Sequence, residues 1–430
     1  MSNNPYHRKQ IDGRPLHAQT QMMSYGFDPF LAEGSVKPPV FLTSTFAFRS
    51  AEDGARFFDV VSGRVPLPEG QSPGLVYSRF NNPNLEIAED RLALLDQSEA
   101  ALVTSSGMSA ISAVLLTFLR PGDQIVQSAP LYGGTETLIS RILAEWGIAT
   151  HVFSDGLSAP AMDDALEAAA RQGPVRLVYV ETPANPTNAL VDLKALVRCI
   201  EAFEARHGQR PVSVCDNTML GPIFQYPAAH GVDLSVYSLT KYVGGHSDLV
   251  AGGVTGRKVL VDRVRATRGA FGLQLDPHSS WMLTRSMETV VLRMRQAAQT
   301  ASVVARWLAT HAHQPVTVHH PEQVTDQAHQ LVYQRQCSGA GSTFSFVLPG
   351  GRAQAFALIN ALRLFKSAVS LGGTESLVCH PASTTHSAVP AAAREAVGVT
   401  EGLIRVSIGL EHGDDLIVDL DQALRASIRG

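Results

Sequence analysis

From about residue 85 to residue 240 the chain alternates between two rhythms. Short apolar runs, "AALVTSS", "DQIVQS", "IATHVFS", "VRLVYVET", "PVSVCDNT" and "VDLSVYSLT", read as strands. Between them lie stretches with apolar residues at helical spacing. "NLEIAEDRLALLDQ" carries Leu85, Ile87, Leu92 and Leu95, and "GMSAISAVLLTFL" is closed by Pro121-Gly122. "ETLISRILAEWG", "MDDALEAAARQ" and "DLKALVRCIEAFEARHG" continue the series. The strands are apolar at successive positions rather than at every second one, so both of their faces are buried. Strands of that kind alternating with helices predict an α/β fold with a mostly parallel sheet covered on both sides.

A long helical pattern over roughly 280–311 follows. After it come the strand-like "VTVHH" and "STFSFVLPG", a helix over "RAQAFALINALRLFKSA", the strand-like "LIRVSIGLE" and a helix over "DDLIVDLDQALRAS". This mixture predicts a separate α+β unit. The front of the chain, residues 1–60, reads as irregular, and "VSGRVPLPEGQSPG" (61–74) as a loop, since Pro and Gly interrupt it repeatedly. The expected division is an N-terminal arm (1–75), a large domain (76–290) and a C-terminal small domain (291–430), with the last boundary inside the long helical pattern.

Composition narrows the class of function. The 430 residues are 45% hydrophobic and 17% charged, with a net charge of -4, which argues against a nucleic-acid partner. The four cysteines, Cys199, Cys215, Cys337 and Cys379, form no CxxC pair and no zinc spacing, so they read as buried free thiols in a reducing compartment. The first residues are polar, and no run approaches the roughly 18 apolar residues of a membrane span. A cytoplasmic protein, with neither membrane nor metal as partner, is the expectation.

Ligands of open α/β sheets sit beyond the carboxyl ends of the strands. Three stretches of this chain fall there. Ser106, Gly107 and Met108 open a helix after "AALVTS"; their amides suit an anion, although Ser106 also reads as an ordinary helix cap. Asp216 ends "PVSVCD", where a carboxylate needs either a cation or a turn to cap. Ser238, Thr240 and Lys241 follow "VDLSVY". The hydroxyls suit a phosphate, and a buried lysine has a depressed pKa and an available lone pair, whereas a surface lysine would merely snorkel. A phosphate seat, a carboxylate and a carbonyl-reactive amine at neighbouring strand ends together match the needs of pyridoxal 5'-phosphate (PLP): anchor, partner for the ring nitrogen, and the amine that bonds to its aldehyde.

The motifs "VYSRFNNPN", "SSGMSAI", "PLYGGT", "VYVETPANPTN", "CDNT", "SLTKYVGGHSD", "SLGGTESL", "HPASTTH" and "RVSIGLE", in this order, resemble the Cys/Met-metabolism PLP-dependent enzymes, the group that holds cystathionine gamma-synthase and methionine gamma-lyase. The resemblance runs from about residue 35 to 425 and implies the aspartate-aminotransferase-like fold, PLP fold type I. It implies that Lys241 is the lysine bonded to the cofactor, Asp216 the partner of the ring nitrogen, and Ser106, Gly107, Met108, Ser238 and Thr240 the phosphate seat. It also implies that Tyr132 stacks on the ring and protonates the leaving group, with Glu181 and Asn185 in support. Tyr77 and Arg79 would reach the phosphate of a neighbouring subunit, and Tyr77 its substrate, in a homo-oligomer that is usually a dimer of dimers. Arg405 would fork the substrate carboxylate, with Ser370 and Val369 beside it. The chain departs from the family at Asn84 (commonly Thr), at Thr384 (commonly Met) and in a longer 51–74 segment.

The resemblance implies bond cleavage at the γ carbon of a sulfur amino acid, by γ-elimination or by γ-replacement. Enzymes of cystathionine carry a Glu where this chain has Val369 and often an Arg where it has Thr137. Both charged handles are missing, which favours an uncharged γ substituent and γ-elimination of methionine- or homocysteine-type substrates to 2-oxobutanoate, ammonia and a thiol. The alternative is γ-replacement on an O-acyl-homoserine. The cysteine typical of methionine gamma-lyases is Gly134 here, so neither subgroup is matched at every position. Glu136 lies close to these residues in sequence and reads as a solvated helix-start carboxylate.

Overall fold

The computed structural model describes residues 5–67 and 74–429. The 61–74 loop is thus seen only in part, and 68–73 lie outside the described residues. Seven strands form the first sheet: β1 (Ala100–Thr104), β2 (Gln124–Ser128), β3 (Ala149–Phe153), β4 (Val175–Glu181), β5 (Val212–Asp216), β6 (Leu234–Ser238) and β7 (Gly252–Gly256), in the order β1-β7-β6-β5-β4-β2-β3. Every neighbouring pair is parallel except those made by β7, which runs against both β1 and β6.

The apolar runs do what continuous hydrophobicity predicts. Leu177, Val178, Tyr179 and Val180 of β4 are all fully buried, so helices cover both faces of the sheet. Each such side chain contributes about 1.5–3 kcal/mol by leaving water. Helices α1 (Ala51–Val61), α2 (Pro83–Leu95), α3 (Gly107–Phe118), α4 (Gly133–Thr137, continued by a π-helical turn, Leu138–Leu143), α5 (Ala159–Ala170), α6 (Leu193–His207), α7 (Lys258–Phe271) and α8 (Pro277–Met287) surround it or lead into it.

The long pattern near 280–311 is two helices. It breaks at Glu288 and Thr289, and α9 (Val290–His311) follows. A second sheet of five strands is built from β8 (Thr317–His319), β9 (Thr343–Val347), β10 (Lys366–Ser367), β11 (Leu377–Cys379) and β12 (Leu403–Ser407), in the order β8-β9-β12-β11-β10. Helices α10 (Gln327–Gln336), α11 (Gly351–Ala361) and α12 (Gly413–Arg429) accompany it. Phe344, Phe346, Ile404 and Val406 pack with Leu416, Leu420 and Leu424 of α12 into one buried cluster.

Three of the differences from the sequence reading have a plain physical cause. Residues 51–61 are a helix and not irregular: the Ser50 hydroxyl accepts the Asp53 amide at 3.2 Å, and Phe57 is buried. β7 is a strand despite its glycines, which lack the side chains that mark strands in a sequence. The helix expected through "LRLFKSA" stops at Ala361, because Asp419 of α12 draws off the amides of Arg363 and Leu364 at 2.9 and 2.7 Å. No helix among the described residues is long and apolar enough to cross a membrane.

Candidate active site

A cleft of about 300 Å³ opens at the carboxyl ends of β4, β5 and β6. Every residue given a cofactor, substrate or catalytic role in the sequence analysis lines it except Tyr77 and Arg79. Two halves of the chain meet there, since Val369, Ser370 and Arg405 come from the five-stranded sheet and its loops.

The start of α3 forms one end. Ser106 is extended and its hydroxyl accepts the Ser109 amide at 3.0 Å, so it does cap the helix. The N–H groups of Gly107 and Met108 have no intrahelical acceptor, as in any first turn, and the helix dipole adds a partial positive charge. A Cβ on Gly107 would lie 2.8 Å from the Ser238 Cβ and 3.1 Å from its hydroxyl. Only glycine therefore leaves these amides open beside Ser238. The Thr240 hydroxyl is already committed. It accepts the Ala251 amide at 3.0 Å and donates to the Ala251 carbonyl at 3.1 Å, which fixes the turn after β6, and Thr240 lines the cleft together with Ser238.

Asp216 and Glu181 close β5 and β4 side by side in register. Asp216 accepts the Thr218 amide at 3.1 Å and hydroxyl at 2.7 Å and the Tyr179 hydroxyl at 3.3 Å. Glu181 accepts the amides of Tyr132 at 2.6 Å and Asn185 at 2.8 Å. Burial raises both carboxyls, and at Glu181 the charge of Asp216 adds to it. Neither forms an ion pair among the described residues, so a buried acidic pair faces the cleft without a cation.

Opposite stands the amine. Lys241 donates from Nζ to the Ser370 hydroxyl at 2.9 Å. Burial, helped by the nearby Arg405 guanidinium, holds it down at about 8 from an ordinary 10.5. Arg405 is 2% exposed on β12. Its Nη1 donates to the Asn185 side-chain oxygen at 3.2 Å, and its Nη2 to the carbonyls of Val369 and Ser370 at 2.8 and 2.9 Å. Its Nε is buried and has no partner. A buried guanidinium with no carboxylate partner among the described residues is set to meet one from outside the chain. Amide seat, uncompensated acid and depressed amine fit the phosphate, ring nitrogen and aldehyde of PLP.

Tyr77 is 41% exposed away from this cleft, and Arg79 donates to the Gly269 carbonyl and lies 4.1 Å over the Phe80 ring. Thr137 turns its hydroxyl back to the Gly133 carbonyl at 2.9 Å, and Glu136 accepts from Gln127 at 2.9 Å; neither lines the cleft. The sequence reading missed Val250 and Thr385, which do line it. Both sit inside or beside quoted motifs, so the only signal was proximity to "SLTKYVGGHSD" and membership of "HPASTTH". Gly133 and Thr385 touch closely: a Cβ on Gly133 would lie 2.3 Å from the Thr385 carbonyl oxygen.

Comparison with known proteins agrees with this geometry. The family described as Cys/Met metabolism PLP-dependent enzyme matches residues 19–425. L-methionine gamma-lyase of Pseudomonas deceptionensis is 40% identical over 413 residues, covering 95% of this chain and 97% of that protein. Cystathionine gamma-synthase of Escherichia coli (strain K12) is 36% identical over 92% of this chain and 95% of that protein. The crystal structure of cystathionine gamma synthase from Xanthomonas oryzae pv. oryzae, in complex with aminoacrylate and cysteine, superimposes with a TM-score of 0.84 at 34% identity, covering 96% of this chain and 99% of that one.

Proposed function

Since the chain belongs to the Cys/Met metabolism PLP-dependent enzymes, we propose that it is a carbon–sulfur lyase. It converts methionine or homocysteine, with water, to 2-oxobutanoate, ammonia and the corresponding thiol. The observation that carries this reading is the outer wall of the cleft. Val250 and Val369 line it, and the acidic and basic side chains of the cleft, Lys241, Arg405, Asp216 and Glu181, belong to the cofactor and carboxylate positions. A thioether meets apolar surface there, whereas a second ammonium or carboxylate would lose water without a partner.

Bound in the seat, the cofactor supplies an electron sink for charge left at the substrate's α carbon. The residues of the chain do the rest. Arg405 takes the α-carboxylate, its unpartnered Nε adding to the fork. Lys241, near neutrality by burial, removes the α proton and then a β proton. Tyr132, whose backbone is held by Glu181, stands at the rim where its phenol delivers a proton to the departing sulfur. Tyr77 and Arg79, outside the chain's own cleft, serve the phosphate and substrate of a neighbouring copy in a cytoplasmic homo-oligomer, a dimer of dimers.

The test is product analysis with methionine alone. 2-Oxobutanoate and methanethiol should appear in equal amounts with no added nucleophile. If keto acid is absent and a thioether forms only from O-acyl-homoserine plus a thiol, γ-replacement is the activity and this reading is wrong.

A further inference from the structure

A second cleft, of about 380 Å³, lies at the amino ends of the same strands. Arg176 is the second residue of β4 and Val212 the first of β5, the strands whose other ends carry Glu181 and Asp216. Four arginines line it, Arg120, Arg176, Arg210 and Arg263, against one carboxylate, Asp123. In a chain of net charge -4 this is a marked local excess of positive charge.

The carboxylate is spoken for. Asp123 accepts the Arg120 amide at 2.7 Å and Arg176 Nε at 3.3 Å. Two of the other guanidiniums are held by groups that carry no negative charge. Arg120 donates from Nη1 to the carbonyls of Leu116 and Leu119 at 2.8 and 2.7 Å, closing the end of α3. Arg263 lies 4.6 Å over the Phe118 ring. Neither pairs with a carboxylate among the described residues. Arg210 approaches Glu204 and Asp233 only to 3.8 Å, and Asp233 is closer to Arg257, at 3.0 Å.

Repulsion among these groups is therefore incompletely offset within the chain. Arg120 and Arg263 are held in place by backbone and ring contacts, which lowers the entropy lost when an anion binds. Guanidinium forks match phosphate oxygens two at a time. The cleft is too large for one phosphate and falls in the range of small-molecule sites. We propose that it binds a small anion bearing a polyphosphate chain, at a site separate from the catalytic cleft.

Titration calorimetry on the cofactor-loaded enzyme tests this with inorganic triphosphate, a nucleoside triphosphate and citrate as probes. Saturable binding of one triphosphate per chain is expected. Arg263→Gln and Arg210→Gln should each weaken it about tenfold, the loss of one charge-assisted contact. Arg352→Gln, at an exposed pair with Glu401 elsewhere, should not. Arg263→Lys keeps the charge but loses the fork and should also weaken binding, which guards against a misfolded Gln variant. Tighter binding of the nucleoside triphosphate would assign the chain to a nucleotide, and equal binding to free polyphosphate. No saturable binding, citrate binding as well as triphosphate, or unchanged affinity in the arginine variants overturns the proposal.

Discussion

Lys241 shows how far one residue can be read without a structure. Its position after an apolar run, with no charge nearby until Asp248, pointed to an unusual amine. The family resemblance set Ser370 near this amine, but no local pattern could, because Ser370 and Arg405 lie more than a hundred residues away and arrive only through folding. The depressed amine has a direct consequence. A lysine captures an aldehyde in its neutral form, and that form grows as pH rises through the pKa. Covalent uptake of PLP by the cofactor-free protein should therefore rise with a midpoint near pH 8, followed by the absorbance of the bound form. A midpoint near the ordinary 10.5 would show that burial does not act on this amine. Val250 and Thr385 were illegible for a related reason, since nothing in an apolar or hydroxyl side chain announces that it faces a cleft.

At the scale of elements, continuous apolar runs identified β1, β2, β4, β5 and β6 because burial on both faces leaves a plain signal, while the edge strand β3 is only half-buried, with Val152 53% exposed. Strand β7 gave none, being a glycine strand, and α11 was overextended because Asp419, remote in sequence, ends it. Elements also meet through charge. Glu89 of α2 bonds both Arg265 and Arg268 of α7 and accepts the Val103 amide of β1 at 3.2 Å. Burial alone would raise Glu89, but the two arginines prevail and hold it below its ordinary 4.5. A lowered acid stabilises the fold above its unfolded pKa, and that contribution fades as pH falls through the folded value. Glu89→Gln leaves the 1%-exposed Arg268 side chain uncompensated and should lose about 3–5 kcal/mol at pH 7 by urea unfolding. The gap from the unmodified protein should narrow as pH drops below 4.5; an equal gap at all pH values would deny the ion pair its role.

At the scale of the whole molecule, the cleft joins residues of the first sheet to Arg405 of the second, and its outer contacts are assigned to a neighbouring copy. Mixed assemblies test that assignment. Lys241→Ala chains and Arg79→Ala chains, each inactive alone, should regain roughly a quarter of full activity when refolded together, since half of random pairs are hybrids and each hybrid has one intact site. No recovery would mean that Arg79 acts within its own chain. The order of the motifs made the family legible, while the meeting of the two sheets was beyond any local pattern. The contrast between seat and rim has a practical side. A methyl group on Gly252 would lie 2.0 Å from the Ser106 carbonyl oxygen, so backbone touches backbone behind the phosphate seat. Val250 and Val369 at the rim are 60% and 57% exposed. Laboratory libraries aimed at new leaving groups should randomise these valines and Thr385 and treat the glycines as immovable, because there a single carbon would spoil the machine before it changed its taste.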